Sequence, residues 1–211
     1  MTKDDTKKKD AVLLAMLPEV PFDGWTRAGM RKAAARAKIS TGELDTLFPR
    51  GTRDLVAWFS RWADRETVAV LATKRLPRLR TSERIALGVK TRLQLLLPNR
   101  EAVRRAFSLL ALPQNVPLAA KLLYETVDML WHAAGDTSTD FNFYTKRGLL
   151  AGVYAATVLY WLDDRSLGAT ASEEFLERRL AEVLAIPRVK NLVTRLPDVF
   201  GLLRTLRPRR A

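Results

Sequence analysis

Three observations predict an all-α fold. Apolar residues recur at helical spacing along nearly the whole chain, no segment alternates polar and apolar residues as a half-buried strand would, and no Asn-Gly or Asp-Gly turn joins two such segments. At 211 residues the chain is long enough for one domain with a real core, and a second domain is not required.

Each element follows from local signals. Ala11 to Leu17 reads as a short apolar helix stopped by "PEVP", and Thr26 is placed to cap a helix running to about Ala37. "STGELDTLF" is a short helix capped by Ser40 or Thr41, and a long helix follows from about Arg53 to Lys74. Pro77, Pro98, Pro113 and Pro117 then punctuate the chain, giving helices near 82–97, 99–112 and 117–134. Two more are expected at 140–163 and 170–185. Beyond Pro187, Leu192, Leu196, Phe200 and Leu203 repeat at helical spacing while Arg195 and Arg204 fall elsewhere on the wheel. That pattern fits a helix docked on the core. It equally fits a surface-seeking helix that lays its apolar side into a membrane interface, and the "RPRR" tail favours the latter. The expected division is an N-terminal extension 1–24, a helix-turn-helix-like subdomain 25–74, a helical body 75–186 and a basic amphipathic segment 187–211.

Charge is distributed unevenly. The net values are −1 for residues 1–24, +12 for 25–110, −4 for 111–186 and +6 for 187–211, so two basic zones flank an acidic one. Such zones attract nucleic acid, anionic lipid or an acidic protein. The absence of cysteine removes disulfides, thiolate nucleophiles and thiolate metal sites. The apolar uncharged run Gly148 to Leu162 is shorter than the roughly 20 residues of a spanning helix. With no secretory or transit pattern at its start, the chain is expected in the cytoplasm, and the surface-seeking reading of its C-terminal helix would make it peripheral on the cytoplasmic membrane.

Two patterns invite a functional reading. "GMRKAAARAKISTGELDTLFPRGTRDLVAWF" has the rhythm of a TetR-type helix-turn-helix. The helix that would enter a major groove offers Gly42, Glu43, Asp45 and Thr46, two of them repelled by phosphate, although Arg27, Arg31, Lys32, Arg36, Lys38, Arg50 and Arg53 remain for backbone contact. DNA is thus an unfavoured partner. The second pattern is the lone histidine, His132, spaced by four from Asp128 and Asp136. One histidine cannot furnish paired metal-ligand motifs, and no catalytic or metal residue is assigned. His132 and Asp136 read instead as structural groups that fix a helix end and a polar turn. In the following helix Gly148, Gly152 and Ala156 form a small-residue stripe, suited to tight internal packing or to two-fold self-association. Phe143 and Tyr144, beside Asp140 and Arg147, have the make-up of a docking patch.

Taken together, "VDMLWHAAGDTSTDFNFYTKRGLLAGVYAATVLYWLDDRS", "FLERRLAEV", "ALPQNVPLAAKLL", "GWT" and "LFPRG" resemble the Coq-nine family, lipid-binding accessory proteins of ubiquinone biosynthesis. The resemblance implies a TetR-like fold, a homodimer without catalytic activity, and a C-terminal helix that docks on anionic membrane. It also implies a bound isoprenoid lipid or phospholipid with no other cofactor, and a partnership with the demethoxyubiquinone hydroxylase. Asp140, Phe143, Tyr144 and Arg147 match the family's hydroxylase-docking element, with Phe143 where tryptophan is usual. Glu173 also stands where the family commonly has tryptophan. A carrier of so apolar a quinone needs a dry pocket. Its candidate lining is Leu93, Leu96, Leu97, Phe107, Leu110, Leu123, Met129, Trp131, Tyr154 and Leu159.

Overall fold

A reciprocal cap starts the first helix. The Thr2 hydroxyl accepts from the Asp5 N–H at 3.1 Å and the Asp5 carboxylate accepts from the Thr2 N–H at 2.9 Å, with Asp4 and Asp5 set against the helix dipole. In the computed structural model, which describes residues 2–74, 76–136 and 141–185, this helix (α1) spans Lys3–Met16. It therefore begins well before the expected Ala11. Hydrophobic periodicity marks only its buried end, Val12, Leu13 and Met16, whereas the cap sets its start.

The other helices among the described residues are α2 (Val20–Asp23), α3 (Arg27–Arg36), α4 (Thr41–Leu47), α5 (Thr52–Ala72), α6 (Thr81–Leu96), α7 (Arg100–Leu110), α8 (Val116–Ala133), α9 (Phe141–Asp163) and α10 (Thr170–Ala185). No strand occurs among these residues. Thr26 and Ser40 cap α3 and α4 by accepting from the Gly29 and Glu43 N–H groups, as their positions predicted. Single 3₁₀ turns hold Pro77, Pro98 and Pro113, where an α-helix would lose a donor and clash with the ring.

Helix α5 is the axis of the molecule, packed on α1, α6 and α8. Helix α9 packs on both α8 and α10. One continuous apolar core runs from Val12 in α1 to Leu176 in α10, crossing residues 24/25 and 74/75. Helices α6 and α8 approach closely at Gly88, where an added Cβ would lie 2.8 Å from Leu130 Cδ2. No single helix among the described residues is long and apolar enough to cross a membrane. Leu192, Arg195, Leu196, Phe200, Leu203 and Arg204, the expected membrane-facing set, lie outside the described residues.

Candidate binding site: an apolar cavity with a buried polar end

Five helices enclose a cavity of about 390 Å³, within the range of small-molecule sites. Val56, Phe59 and Ala63 of α5, Leu96 of α6, Val103, Ala106, Phe107 and Leu110 of α7, Ala119, Ala120, Leu122 and Leu123 of α8, and Ala155 of α9 form its walls. The space arises because Ala63, Ala106, Ala119, Ala120 and Ala155, from four different helices, all present short side chains to it. Phe107, Ala111, Val116 and Ala120 are exposed, so the cavity reaches the surface at the corner between α7 and α8.

The opposite end is polar and buried. Arg92 donates from Nε to Asp64 Oδ1 at 2.8 Å, from Nη1 to the Tyr154 hydroxyl at 2.6 Å, and from Nη2 to the Ser60 carbonyl and hydroxyl at 3.3 and 3.2 Å. Thr126 donates to both Asp64 oxygens at 3.1 and 3.2 Å. Ser60, Arg92, Thr126 and Tyr154 are themselves wall residues. Burial favours the neutral form of Arg92, but the Tyr154 and Asp64 oxygens outweigh it and the guanidinium stays charged. Burial, partly offset by Arg92, raises the Tyr154 phenol, so at neutral pH it is a protonated donor.

The structure sorts the candidate lining residues. Leu96, Phe107, Leu110, Leu123 and Tyr154 face the cavity, whereas Leu93, Leu97, Met129, Trp131 and Leu159 do not. Leu93 is buried in the main core, and Leu97, Met129 and Trp131 pack against that core. Leu159 is 56% exposed on an outer face of α9. Sequence reasoning missed Arg92 and Asp64. The available signal was a charge inside an apolar stripe, since Arg92 sits between Val89 and Leu96 on the inward face of α6.

The docking cluster also divides. Tyr144 is 71% exposed. Arg147 is not part of the exposed surface: its side chain is 3% exposed, and it donates from Nε to Asp128 Oδ1 at 2.7 Å and from Nη1 to Asp136 Oδ2 at 3.5 Å. Its role in this structure is to tie the start of α9 to the end of α8. Asp140 and the side chain of Phe143 lie outside the described residues. Asp136 also accepts from Lys146 Nζ at 2.9 Å, so it anchors the turn. The exposed His132 places Nδ1 2.8 Å from the Asp128 carbonyl oxygen and 3.4 Å from its carboxylate, within its own helix. Gly148 and Gly152 face outward, with nothing within 4 Å of an added Cβ, and Ala156 is half-buried. The stripe is thus not filled by a helix of the same chain among the described residues. Glu173 pairs with Lys90 at 3.3 Å and accepts from Gln94 Nε2 at 3.1 Å, fastening α10 to α6.

Residues 116–187, covering α8 to α10, match the family model described as COQ9. Over this region the chain resembles the COQ9 family. It is 34% identical over 179 residues to the "Ubiquinone biosynthesis protein COQ9, mitochondrial" of Bos taurus, a match that covers 82% of this chain and 56% of that protein. It is 32% identical over 191 residues to "Ubiquinone biosynthesis protein COQ9-B, mitochondrial" of Xenopus laevis, covering 87% and 65%. The chain thus spans 56% and 65% of the length of these COQ9 proteins. A TetR transcriptional regulator from Nitrosomonas europaea superposes with a TM-score of 0.67 at 22% identity, covering 82% of this chain and 96% of that one. The fold is therefore TetR-like. In the helix-turn-helix-like region of this chain, α4 has only seven residues, its Glu43 pairs with Lys8 at 2.8 Å, and Asp45 is exposed.

Proposed function

We propose that the chain is a non-catalytic, lipid-binding accessory protein of ubiquinone biosynthesis, which holds a polyprenyl quinone intermediate at a membrane and presents it to the demethoxyubiquinone hydroxylase. The observation that carries this reading is the apolar cavity opening between α7 and α8, in a chain whose family relatives are named for ubiquinone biosynthesis. A polyprenyl quinone is too apolar to cross water unaided, and such a cavity supplies the dry environment it needs. The outward Gly148, Gly152 and Ala156 stripe serves a two-fold homodimer, Tyr144 serves hydroxylase docking, and the basic segment 187–211 serves anionic membrane.

Mass spectrometry of lipid extracted from the purified protein tests the cargo, with an isoprenoid quinone or its precursor expected. Flotation with anionic liposomes, comparing the full chain with one ending at Leu184, tests the membrane segment; equal flotation rejects it. Enrichment of one duplex sequence over random DNA at physiological salt would instead establish a transcription regulator with a lipid effector. The relatives' names place those proteins in mitochondria. Fractionation of the cells that make this chain decides between that compartment and the cytoplasmic membrane expected from the sequence.

A further inference from the structure

The buried polar end of the cavity has a feature that its packing role does not explain. Arg92 and Tyr154 are 5% and 6% exposed, and the Tyr154 oxygen accepts from Arg92 at 2.6 Å. The proton of that same hydroxyl finds no acceptor among the described residues. A buried hydroxyl donor left unused is costly. Here it belongs to a wall residue of an otherwise apolar cavity, which points to an acceptor arriving with a ligand.

We propose that the Tyr154 hydroxyl, held in place by Arg92, donates a hydrogen bond to a carbonyl oxygen on the head of a neutral amphiphile, which lies head-inward with its tail leaving between α7 and α8. The proposal rests on the lipid-binding reading above and adds which head is selected and which way it points. Three observations converge on it. The polar groups are at the buried end, while the exposed rim residues Phe107 and Val116 are apolar, so a tail is favoured outward. Arg92 is already matched by Asp64 at 2.8 Å, so an incoming carboxylate or phosphate meets no uncompensated cation and is repelled by Asp64. A neutral carbonyl suffers no such penalty and takes up the idle donor. The cavity volume of about 390 Å³ admits a ring and the first part of a chain, and a long polyprenyl tail must continue outside.

The test uses the full chain and three probes of matched tail length: a benzoquinone with a short prenyl tail, the corresponding prenylbenzene without oxygens, and a fatty acid. Binding is measured by calorimetry for the wild type and for Tyr154→Phe, which keeps the ring and removes the donor. The wild type should prefer the quinone to both other probes. Tyr154→Phe should weaken quinone binding about 5- to 10-fold and leave prenylbenzene binding unchanged, which also reports that the variant is folded. Equal quinone affinity in the two proteins, or a wild-type preference for the fatty acid, overturns the proposal while leaving lipid binding intact. Failure of the wild type to bind any probe removes the lipid-binding reading itself, and the proposal with it. A readout without substitution is the carbonyl stretch of the quinone bound to the wild type, which a hydrogen bond lowers relative to an alkane solution. An unshifted band overturns the proposal even where Tyr154→Phe fails to fold.

Discussion

Arg147→Met separates a structural from a docking role at the start of α9. The substitution keeps most of the side-chain length and removes the charge that holds Asp128 and Asp136. Breaking a buried ion pair from one side costs about 3–5 kcal/mol, because the abandoned charge stays buried. Two features of this site reduce that figure. Asp136 keeps Lys146 at 2.9 Å, and the Asp128 side chain is 31% exposed, so it regains part of its hydration. The expected loss is about 2–3 kcal/mol. For a chain of this size that corresponds to a Tm lower by about 4–12 °C, read by calorimetry and checked by urea denaturation. A cycle with Asp128→Asn should show coupling, since the two side chains meet at 2.7 Å. A Tm within 1 °C of wild type together with lost hydroxylase capture would refute the assignment and return Arg147 to the docking surface.

Tyr144→Ala should behave oppositely. With the residue 71% exposed, stability should change by less than about 0.5 kcal/mol while capture of the proposed hydroxylase partner on a column of immobilised protein falls; dissociation of the proposed dimer in that variant would assign Tyr144 to self-association instead. Asp164 predicts an acid limb in the stability curve. Burial works to raise its pKa, but hydrogen bonds from Ser166 and Ser172 outweigh it and hold the group at about 2, below the ordinary 3.8. Its stabilisation is therefore complete above about pH 4 and lost as pH falls through 2, about 1–2 kcal/mol in size once screening near the surface is allowed for. The stability difference between wild type and Asp164→Asn should shrink over that window, and a difference that stays constant from pH 6 to pH 2 rejects the mechanism.

The helical class and most helix limits were legible because periodicity, Thr26, Ser40 and the prolines each act locally. The start of α1 was not, since its first turns face water and only the Thr2–Asp5 cap marks them. The cavity was half legible. Periodicity identifies the inward face of a helix, and Leu96 and Leu110 lie on such faces, but a void depends on where alanines from several helices coincide in space. Leu93 and Leu96 show the limit: three residues apart on α6, one fills the core and the other lines the cavity. Arg147 was misleading for a related reason. Beside Phe143 and Tyr144 it has the look of a surface charge, and the acids that bury it come from the preceding helix and turn.

The basic zone at residues 25–110 shows why charge counts alone could not assign a partner. It holds fifteen arginines and four lysines, and many of the arginines are engaged inside the molecule. Arg84 donates to the Leu79 and Ala134 carbonyls, Arg105 to that of Pro21, and Arg100 and Arg104 to those of Asp164 and Leu162 at the end of α9. Helix C-termini leave carbonyls unsatisfied and carry partial negative charge, so a neighbouring guanidinium with five donors can cap them where an ammonium would serve less well. Arg36, Arg50, Arg61, Arg65 and Arg92 are paired with Glu19, Asp54, Glu125, Asp10 and Asp64. The bias toward arginine over lysine suits such geometry. Near the N-terminus of α4, Arg27, Arg31, Lys32 and Arg36 of α3 and the adjacent Lys38 are exposed, but Glu43 and Asp45 set carboxylates on the helix that would read bases. Arg61, Arg84, Arg92, Arg100 and Arg104 thus join α5 through α9 around the cavity, whereas Arg36, Arg65 and Arg105 fasten the N-terminal segment to that body.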